Sequence, residues 1–295
     1  QRPVAAADMI RLDDLNAATP DAFTAALGAV FEDAPWVAAY AAARRPFPTV
    51  TALHAAMFAA VQDAPRDEQM RFLNGHPELA GEAARRGTMA AFSVDEQAGL
   101  GLDRWDDAGF EALNRGYRAR FGLPFILCVR RHTSASLLRQ LHRRLGGSAE
   151  GERAAALQEV FLITRLRLAG LVDGLGMPVV HGRLSTHVLN TALARPAEGV
   201  AVSLFEVGSA AALVQGVTNA DGRTEAPLLS GAPLRIGQYE LRFEVGAYFA
   251  GLGLPVADPP FLDVIPMRFG IAEAEAHYHV PLLVSPGTYT TYRGS

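Results

Sequence analysis

A change of hydrophobic period part-way along the chain constrains its fold more than any other feature. Up to about residue 174 the apolar residues recur at helical spacing, and beyond it they alternate. Phe23, Leu27, Val30 and Phe31 fall at i, i+4, i+7 and i+8, behind Thr19 as a candidate N-cap and Pro20 at the first helical position. Leu53, Met57 and Val61 repeat the pattern, as do Phe110, Leu113 and Tyr117 ahead of the stop-like Gly122, and Leu157, Val160, Phe161 and Leu168. No strand is expected in this half. The stretch from Leu171 to Pro178 then combines Gly174, Gly176 and a proline, which reads as a domain boundary.

Past the boundary, Tyr239, Leu241, Phe243 and Val245 alternate with Glu240, Arg242 and Glu244, the pattern of a strand with one apolar face. Val200 to Val207 is rich in β-formers, Asn219-Ala220-Asp221-Gly222 is a turn, and Ser285-Pro286-Gly287 separates Tyr278–Val284 from Thr288–Tyr292. Short strands at this spacing predict an antiparallel sandwich or barrel with one wetted side. The expected architecture is therefore multidomain: an all-α domain over residues 1–174, a linker over 175–180 and an all-β sandwich over 181–295.

Composition closes off several function classes. With 49% hydrophobic and 20% charged residues the chain has ample material for packed cores, and a net charge of −4 argues against a nucleic-acid partner. All 27 basic residues are arginine, so no lysine is present for a Schiff base, a pyridoxal anchor or a phosphate-binding P-loop. Cys128 is the single cysteine and lies in the apolar run Phe125–Val129, which predicts a packed side chain and excludes an intrachain disulfide or a Cys-x-x-Cys pair. No apolar run approaches the roughly 20 residues of a membrane span. Val4-Ala5-Ala6-Ala7 is too short for a signal-peptide core, so a trimmed start is expected ahead of Gln1.

Two constellations carry candidate chemistry. In the helical half, His76-Pro77-Glu78-Leu79 follows the helix-ending turn Asn74-Gly75; a partly exposed loop histidine is the plain reading. Ser93-x-x-Glu96 fits a capping box, which alone would account for both residues. The half nevertheless combines Phe31-Glu32-Asp33-Ala34-Pro35-Trp36-Val37, His76-Pro77-Glu78-Leu79-Ala80-Gly81, Ser93 with Glu96-Gln97, Leu113-Asn114 with Tyr117, Phe121–Ile126 and Arg165-Leu166-Arg167-Leu168. That combination, over nearly all of residues 10–175, resembles the family of 2-oxo-4-hydroxy-4-carboxy-5-ureidoimidazoline (OHCU) decarboxylases, which form (S)-allantoin in urate breakdown. Glu82, where lysine is usual, and Gly146-Gly147, where an asparagine-containing turn is usual, depart from it.

The resemblance implies His76 as the residue that hydrogen-bonds the substrate hydroxyl and handles a proton. It implies Glu96 and Arg167 as further catalytic residues, with Arg165 the rival of Arg167 for the anionic end of the substrate. Pro77, Ser93, Gln97, Phe125 and Ile126 are implied to bind substrate, the last two through the backbone. No cofactor is implied, because the substrate's own imine accepts the electron pair left by decarboxylation.

In the β half, Leu184–Leu189 places His187 in a short apolar strand, where a hydrogen-bonded core histidine is the plain reading, and His277-Tyr278-His279 puts two imidazoles on one strand face. A His-x-His pair with a third histidine also opens the possibility of a zinc-dependent cyclic amidohydrolase. Leu184-Ser185-Thr186-His187-Val188-Leu189, Thr218–Arg223, Tyr278–Leu283 and Tyr292-Arg293-Gly294-Ser295 together resemble the transthyretin-like 5-hydroxyisourate hydrolases across residues 180–295. Asn190 stands where that family usually has aspartate. The resemblance implies a transthyretin-like sandwich in which His187 and His279 activate water and Arg223 stabilises charge, with no metal. Tyr292, Arg293, Gly294 and Ser295 would close the pocket, and four chains would share sites across a central channel. His277 is left as a surface or supporting residue.

Together the two halves predict one bifunctional enzyme of urate catabolism. It would act on 5-hydroxyisourate and OHCU without cofactor, as a cytoplasmic homo-oligomer assembled through the β domain with added dimer contacts through the α domain. The alternatives are a transthyretin-like ligand carrier fused to an inactive helical module, or the zinc amidohydrolase.

Overall fold

The computed structural model describes residues 9–32, 34–79, 107–253 and 257–294. It divides into two compact units, Gln1–Val180 and His181–Ser295.

In the first unit the described elements run β1 (Ile10–Arg11), α1 (Leu12–Ala17), α2 (Pro20–Leu27), α3 (Pro35–Ala42), α4 (Val50–Gln62), α5 (Arg66–Asn74), α6 (Asp107–Phe121), a 3-10 turn (Val129–Arg131), α7 (Ser134–Leu145), α8 (Ala149–Leu171) and β2 (Val172–Asp173). Thr19, Thr49, Thr133 and Ser148 each cap a helix by accepting the backbone N–H three residues on, at 3.0 to 3.2 Å. Each cap satisfies one of the orphan donors of a first turn, a contribution of about 1 kcal/mol. The periodic residues Phe23, Leu27, Val30, Phe31, Leu53, Met57, Val61, Val160 and Leu168 are all fully buried in one core, and Cys128 is packed there too.

The expectation of no strand in this half fails. Ile10 and Arg11 pair in parallel with Val172 and Asp173, a two-residue ribbon too short to leave a periodic signal. The 175–180 stretch, read as a linker, is tied to α4: Leu175 and Gly176 carbonyls accept the Val50 and Thr51 N–H groups at 2.9 and 3.1 Å. Gly176 has φ of +65°, and a Cβ there would stand 2.6 Å from Thr49, so glycine is required by both backbone and space.

The second unit contains β3 (Arg183–Asn190), β4 (Arg195–Pro196), β5 (Ala201–Glu206), β6 (Val214–Val217), β7 (Gly237–Glu244), α9 (Val245–Gly251), β8 (Val264–Ile271), β9 (His277–Ser285) and β10 (Thr288–Thr291). Two four-stranded sheets, β10-β9-β3-β4 and β6-β5-β7-β8, enclose one apolar core. Tyr239, Leu241 and Phe243 point into it as their alternation requires. Val245, expected to continue that strand, instead opens α9. The prediction of a purely antiparallel sheet is also corrected: β3 and β9 pair in parallel over eight positions, Arg183 with His277 through Asn190 with Val284. Alternation reports which face is apolar and is silent on strand direction. Among the described residues no helix is long and apolar enough to cross a membrane.

Two buried histidines make the first unit acid-sensitive. His54 meets Thr164 at 2.9 Å and His132 meets Ser136 at 2.9 Å. Burial, chiefly, with nearby arginines holds both imidazoles down to about 4 from an ordinary 6.5. The unfolded chain therefore binds more protons between those values, so their contribution is complete above pH 6.5 and is lost as pH falls towards 4, by at most roughly 3 kcal/mol per site. Trp36 and Trp105 both belong to this unit, so tryptophan fluorescence in urea reads it selectively. The unfolding midpoint should drop steadily from pH 6.5 to 4.5; a flat midpoint across that range would refute the assignment.

Candidate active sites

The first site forms where α5 ends. Gly75 caps the helix, the His76 N–H reaches the Leu73 carbonyl at 3.2 Å, and the imidazole turns inward to 7% exposure. The reading of a partly exposed loop histidine is thus overturned by burial against Phe72, whose ring lies edge-on 4.9 Å away. Nδ1 lies 3.1 Å from the Phe72 carbonyl. A carbonyl only accepts, so Nδ1 carries the proton and Nε2 keeps a lone pair. Burial pushes the imidazole below its ordinary value; Arg167 acts in the same sense, while Glu32 and the carbonyl contact oppose it.

Arg167, on α8, is buried with Nη1 donating to the Val30 carbonyl at 3.2 Å and Nη2 to Glu32 at 2.9 Å. Glu32 is itself buried and sits at φ of +51°. Arg165, two residues earlier, instead donates to the Val179 carbonyl. Of the two rivals, Arg167 is the one that lines the cleft with His76. Pro77, Phe125, Ile126 and Glu32 complete its lining. A larger hollow lies across Glu32, beside Trp36 and Arg71, and has no imidazole in its lining. Ser93, Glu96 and Gln97, together with Asp33, Glu82 and the Ala80-Gly81 pair, lie outside the described residues.

Sequence reasoning missed what holds the cleft's walls. Arg144 on α7 donates to the Ile126 carbonyl at 2.8 Å, to Glu152 at 2.8 Å and to the Tyr117 hydroxyl at 3.1 Å, with its guanidinium over the Phe125 ring. Tyr117 also donates to Glu152. The Cys128 N–H donates to Glu159 at 2.9 Å, and Asn114 donates to the Leu79 carbonyl at 2.9 Å. Each residue was visible, Asn114 and Tyr117 within quoted motifs, but apart from the Arg144–Glu152 contact, eight residues apart, their partners are 18 to 35 residues distant, beyond local pattern.

The second site lies on the outer face of the β3–β9 pair. Leu184, Thr186 and Val188 fill the core side, so Ser185 and His187 face outward, as do His277 and His279. His187 and Arg223 form an antiparallel bridge, and the Val188 N–H reaches the Gly222 carbonyl at 2.8 Å. Gly222, at φ of +71°, has no room for a Cβ, which would meet the Val188 carbonyl at 2.3 Å. The turn expected at Asn219 is closed by its Oδ1, which accepts the Asp221 and Arg223 N–H groups.

Burial first, then the Arg223 charge, lower the imidazoles of His187 and His279 below the ordinary value. Both are neutral at pH 7. His187 Nε2 is buried without a hydrogen-bond partner among the described residues, so His187 is no satisfied core histidine. The 292–294 segment folds back onto β9: the Gly294 N–H donates to the His279 carbonyl at 2.9 Å, Arg293 covers the Tyr278 ring at 4.5 Å and Tyr292 stays exposed. Ser295 lies outside the described residues. Asn190 serves the fold, capping the turn after β3 through Ala192 and Leu193 and donating to Tyr248. Among the described residues no three His, Cys, Asp or Glu side chains converge so as to hold a metal.

Comparison with known proteins follows this division. The family model described as OHCU decarboxylase matches residues 16–169, and that of the HIUase/Transthyretin family matches residues 184–294. A 5-hydroxyisourate hydrolase 2 of Rhizobium meliloti is 54% identical over 116 residues, 39% of this chain and 97% of the relative. The 2-oxo-4-hydroxy-4-carboxy-5-ureidoimidazoline decarboxylase of Haloferax volcanii is 39% identical over 163 residues, 54% of this chain and 95% of that one. The crystal structure of an (S)-allantoin synthase matches 97% of this chain and 100% of its own, with 34% identity and a TM-score of 0.51.

The buried Arg144–Glu152 pair yields a stability test. Arg144→Met strands Glu152 and should cost about 3–5 kcal/mol in urea unfolding. Arg144→Met with Glu152→Leu should recover most of that loss, since no charge is then left unpaired. A double variant no better than the single would show that the pair itself is not what the site rests on.

Proposed function

The chain belongs to the OHCU decarboxylase family through residues 16–169 and to the HIUase/transthyretin family through residues 184–294, and on that premise we propose how each unit uses the side chains just described. The protein is a bifunctional enzyme of urate catabolism, a 5-hydroxyisourate hydrolase and an OHCU decarboxylase in one chain. It turns 5-hydroxyisourate into OHCU, and OHCU into (S)-allantoin and CO2. The observation that carries this conclusion is the joint match: both families in sequence, and a likeness to (S)-allantoin synthase running over 97% of the chain.

In the decarboxylase cleft, the free Nε2 of His76 accepts a hydrogen bond from the substrate hydroxyl and can take its proton. The C–C bond to the carboxylate breaks, CO2 leaves, and the electron pair passes into the neighbouring imine of the substrate. A proton delivered to one face of the ring carbon then fixes the (S) configuration. Arg167 supplies positive charge for the carboxylate, and the Arg144 hydrogen bond holds Ile126 where its backbone meets the substrate. Pro77 and Phe125 shape the wall; Ser93, Glu96 and Gln97 keep the roles that the resemblance gives them.

In the hydrolase site, neutral His187 and His279 orient and deprotonate a water, and Arg223 stabilises the oxyanion formed when it adds to the ring carbonyl. Neither step calls for a cofactor or metal. Tyr292, Arg293 and Gly294 close the pocket over His279, and Ser295 keeps the role that the resemblance gives it. We place the protein in the cytoplasm as a homo-oligomer, four copies pairing through the β unit so that each hydrolase site is shared, with further pairing through the helical unit.

His76→Ala should abolish the enantiomeric excess of allantoin, a loss of about 10² or more in the decarboxylase rate, while 5-hydroxyisourate consumption stays close to normal. Circular dichroism and ultraviolet absorbance followed together on freshly made substrate separate the two. Stereospecific product at the parent rate would remove His76 from the mechanism. Gly294→Ala should do the reverse. A Cβ there would stand 2.6 Å from His279 Cδ2, so the ring must move, and hydrolysis should fall by roughly 10² with decarboxylation intact. Unchanged hydrolysis would place the 292–294 segment outside the site.

A further inference from the structure

The β unit holds a third imidazole that the mechanism above does not use. His277 is exposed and its ring centroid lies 6.3 Å from that of His279. Between them stands Ser185, 7% exposed, whose Oγ is 3.0 Å from His277 Nε2 and 3.0 Å from His279 Nδ1. The parallel register fixes this arrangement: Ser185 pairs with His279 and Arg183 with His277, so all three side chains rise from one face.

A serine hydroxyl has one proton. It can donate to one of the two rings and must accept from the other, so the tautomers of His277 and His279 are not independent. When Ser185 donates to His277, His279 carries its proton at Nδ1 and keeps Nε2 as a base. That is the state hydrolysis requires.

Hydrolysis also leaves a proton over. Water adds to the ring carbonyl and the C–N bond breaks; one of its protons ends on the leaving ureido nitrogen, which is not basic at pH 7, and the other is shed as the new carboxylic acid becomes carboxylate. One proton per turnover must therefore reach solvent. We propose that Ser185 and His277 form its exit, an inference that rests on the reading of His279 as the base. The surplus proton is taken by His279 Nε2; the Nδ1 proton of the resulting imidazolium passes to Ser185 Oγ; Ser185 passes its own proton to His277 Nε2; and exposed His277 releases one from Nδ1 to water. Product departure opens the rings to solvent, and exchange restores the starting tautomers. Ser185 and His277 act through His279 and touch no substrate: they are positioning and relay residues.

The test uses the full chain, freshly made 5-hydroxyisourate and a fixed pH of 7, with buffer concentration as the variable. His277→Gln should lower kcat by roughly tenfold in dilute buffer, less than the loss of the base itself, with KM unchanged, and rising imidazole concentration should restore the rate by accepting the proton in place of the missing ring. Ser185→Ala should lose kcat in the same way. A purely structural role for either residue would show a loss indifferent to imidazole, and that result, or a parent rate for His277→Gln in dilute buffer, overturns the relay. His279→Asn is the separate control. It should be inactive at every buffer concentration, and full activity there would instead overturn the assignment of the base.

Discussion

A guanidinium taken out of water costs several kcal/mol unless acceptors surround it, and the first unit meets that demand twice along α8. Near its start, Glu152 accepts from Arg144 and Tyr117; near its end, Arg167 donates to Glu32 and the Val30 carbonyl. Between them Glu159 accepts the Cys128 N–H. The groups that satisfy these polar atoms are the walls of the cleft, the 125–128 loop on one side and the turn at Val30–Glu32 on the other. Solvation of buried charge and construction of the site are one requirement here. The same requirement shapes His76, whose burial would be costly if both ring nitrogens were unpaired and which commits one of them to Phe72.

In the second unit the equivalent constraint is the parallel pairing of β3 with β9. It aligns Ser185 with His279 and puts His187 two positions further along the same face. The Gly222 and Gly294 backbones then close on the two imidazoles: a Cβ on Gly222 would stand 3.2 Å from the His187 ring and 2.3 Å from the Val188 carbonyl, and one on Gly294 2.6 Å from the His279 ring. The glycines here act as absences: each lets a backbone lie where it can hold a ring in place.

Much of this was legible in the chain. Thr19-Pro20, Asn74-Gly75 and Asn219–Gly222 mark their own starts and stops because capping and turn chemistry are local. The apolar periods located both cores for the same reason. Strand direction was not legible, since β3 reads identically whether its partner runs with it or against it. Nor were Arg144, Glu32 and Ser185 as members of their sites, because what distinguishes a buried arginine from a surface one is an acceptor far away in sequence. His76 shows the boundary well: its motif and turn were evident, whereas its burial and tautomer depend on Phe72, Glu32 and Arg167 meeting in space. The Arg165 and Arg167 alternatives were separable only by the helical phase of α8 against its neighbours.

The β3–β9 pairing also sets an order of events. Ser185 contacts His277 and His279 across 92 and 94 positions of chain, among the longest loops in its unit to be closed. Contacts so far apart form late, after the entropy of closing the loop has been met by other strands; the helical unit closes still longer loops, Arg167 to Glu32 across 135 positions, but all of it emerges first during synthesis. A nascent chain therefore completes its decarboxylase fold before the hydrolase site can exist, the reverse of the order in which the two reactions are needed. The first strand of the sandwich must wait, with one hydrogen-bonding edge open, until residues 277–285 arrive to pair with it, and that interval is when this protein is most exposed to pairing with the wrong strand.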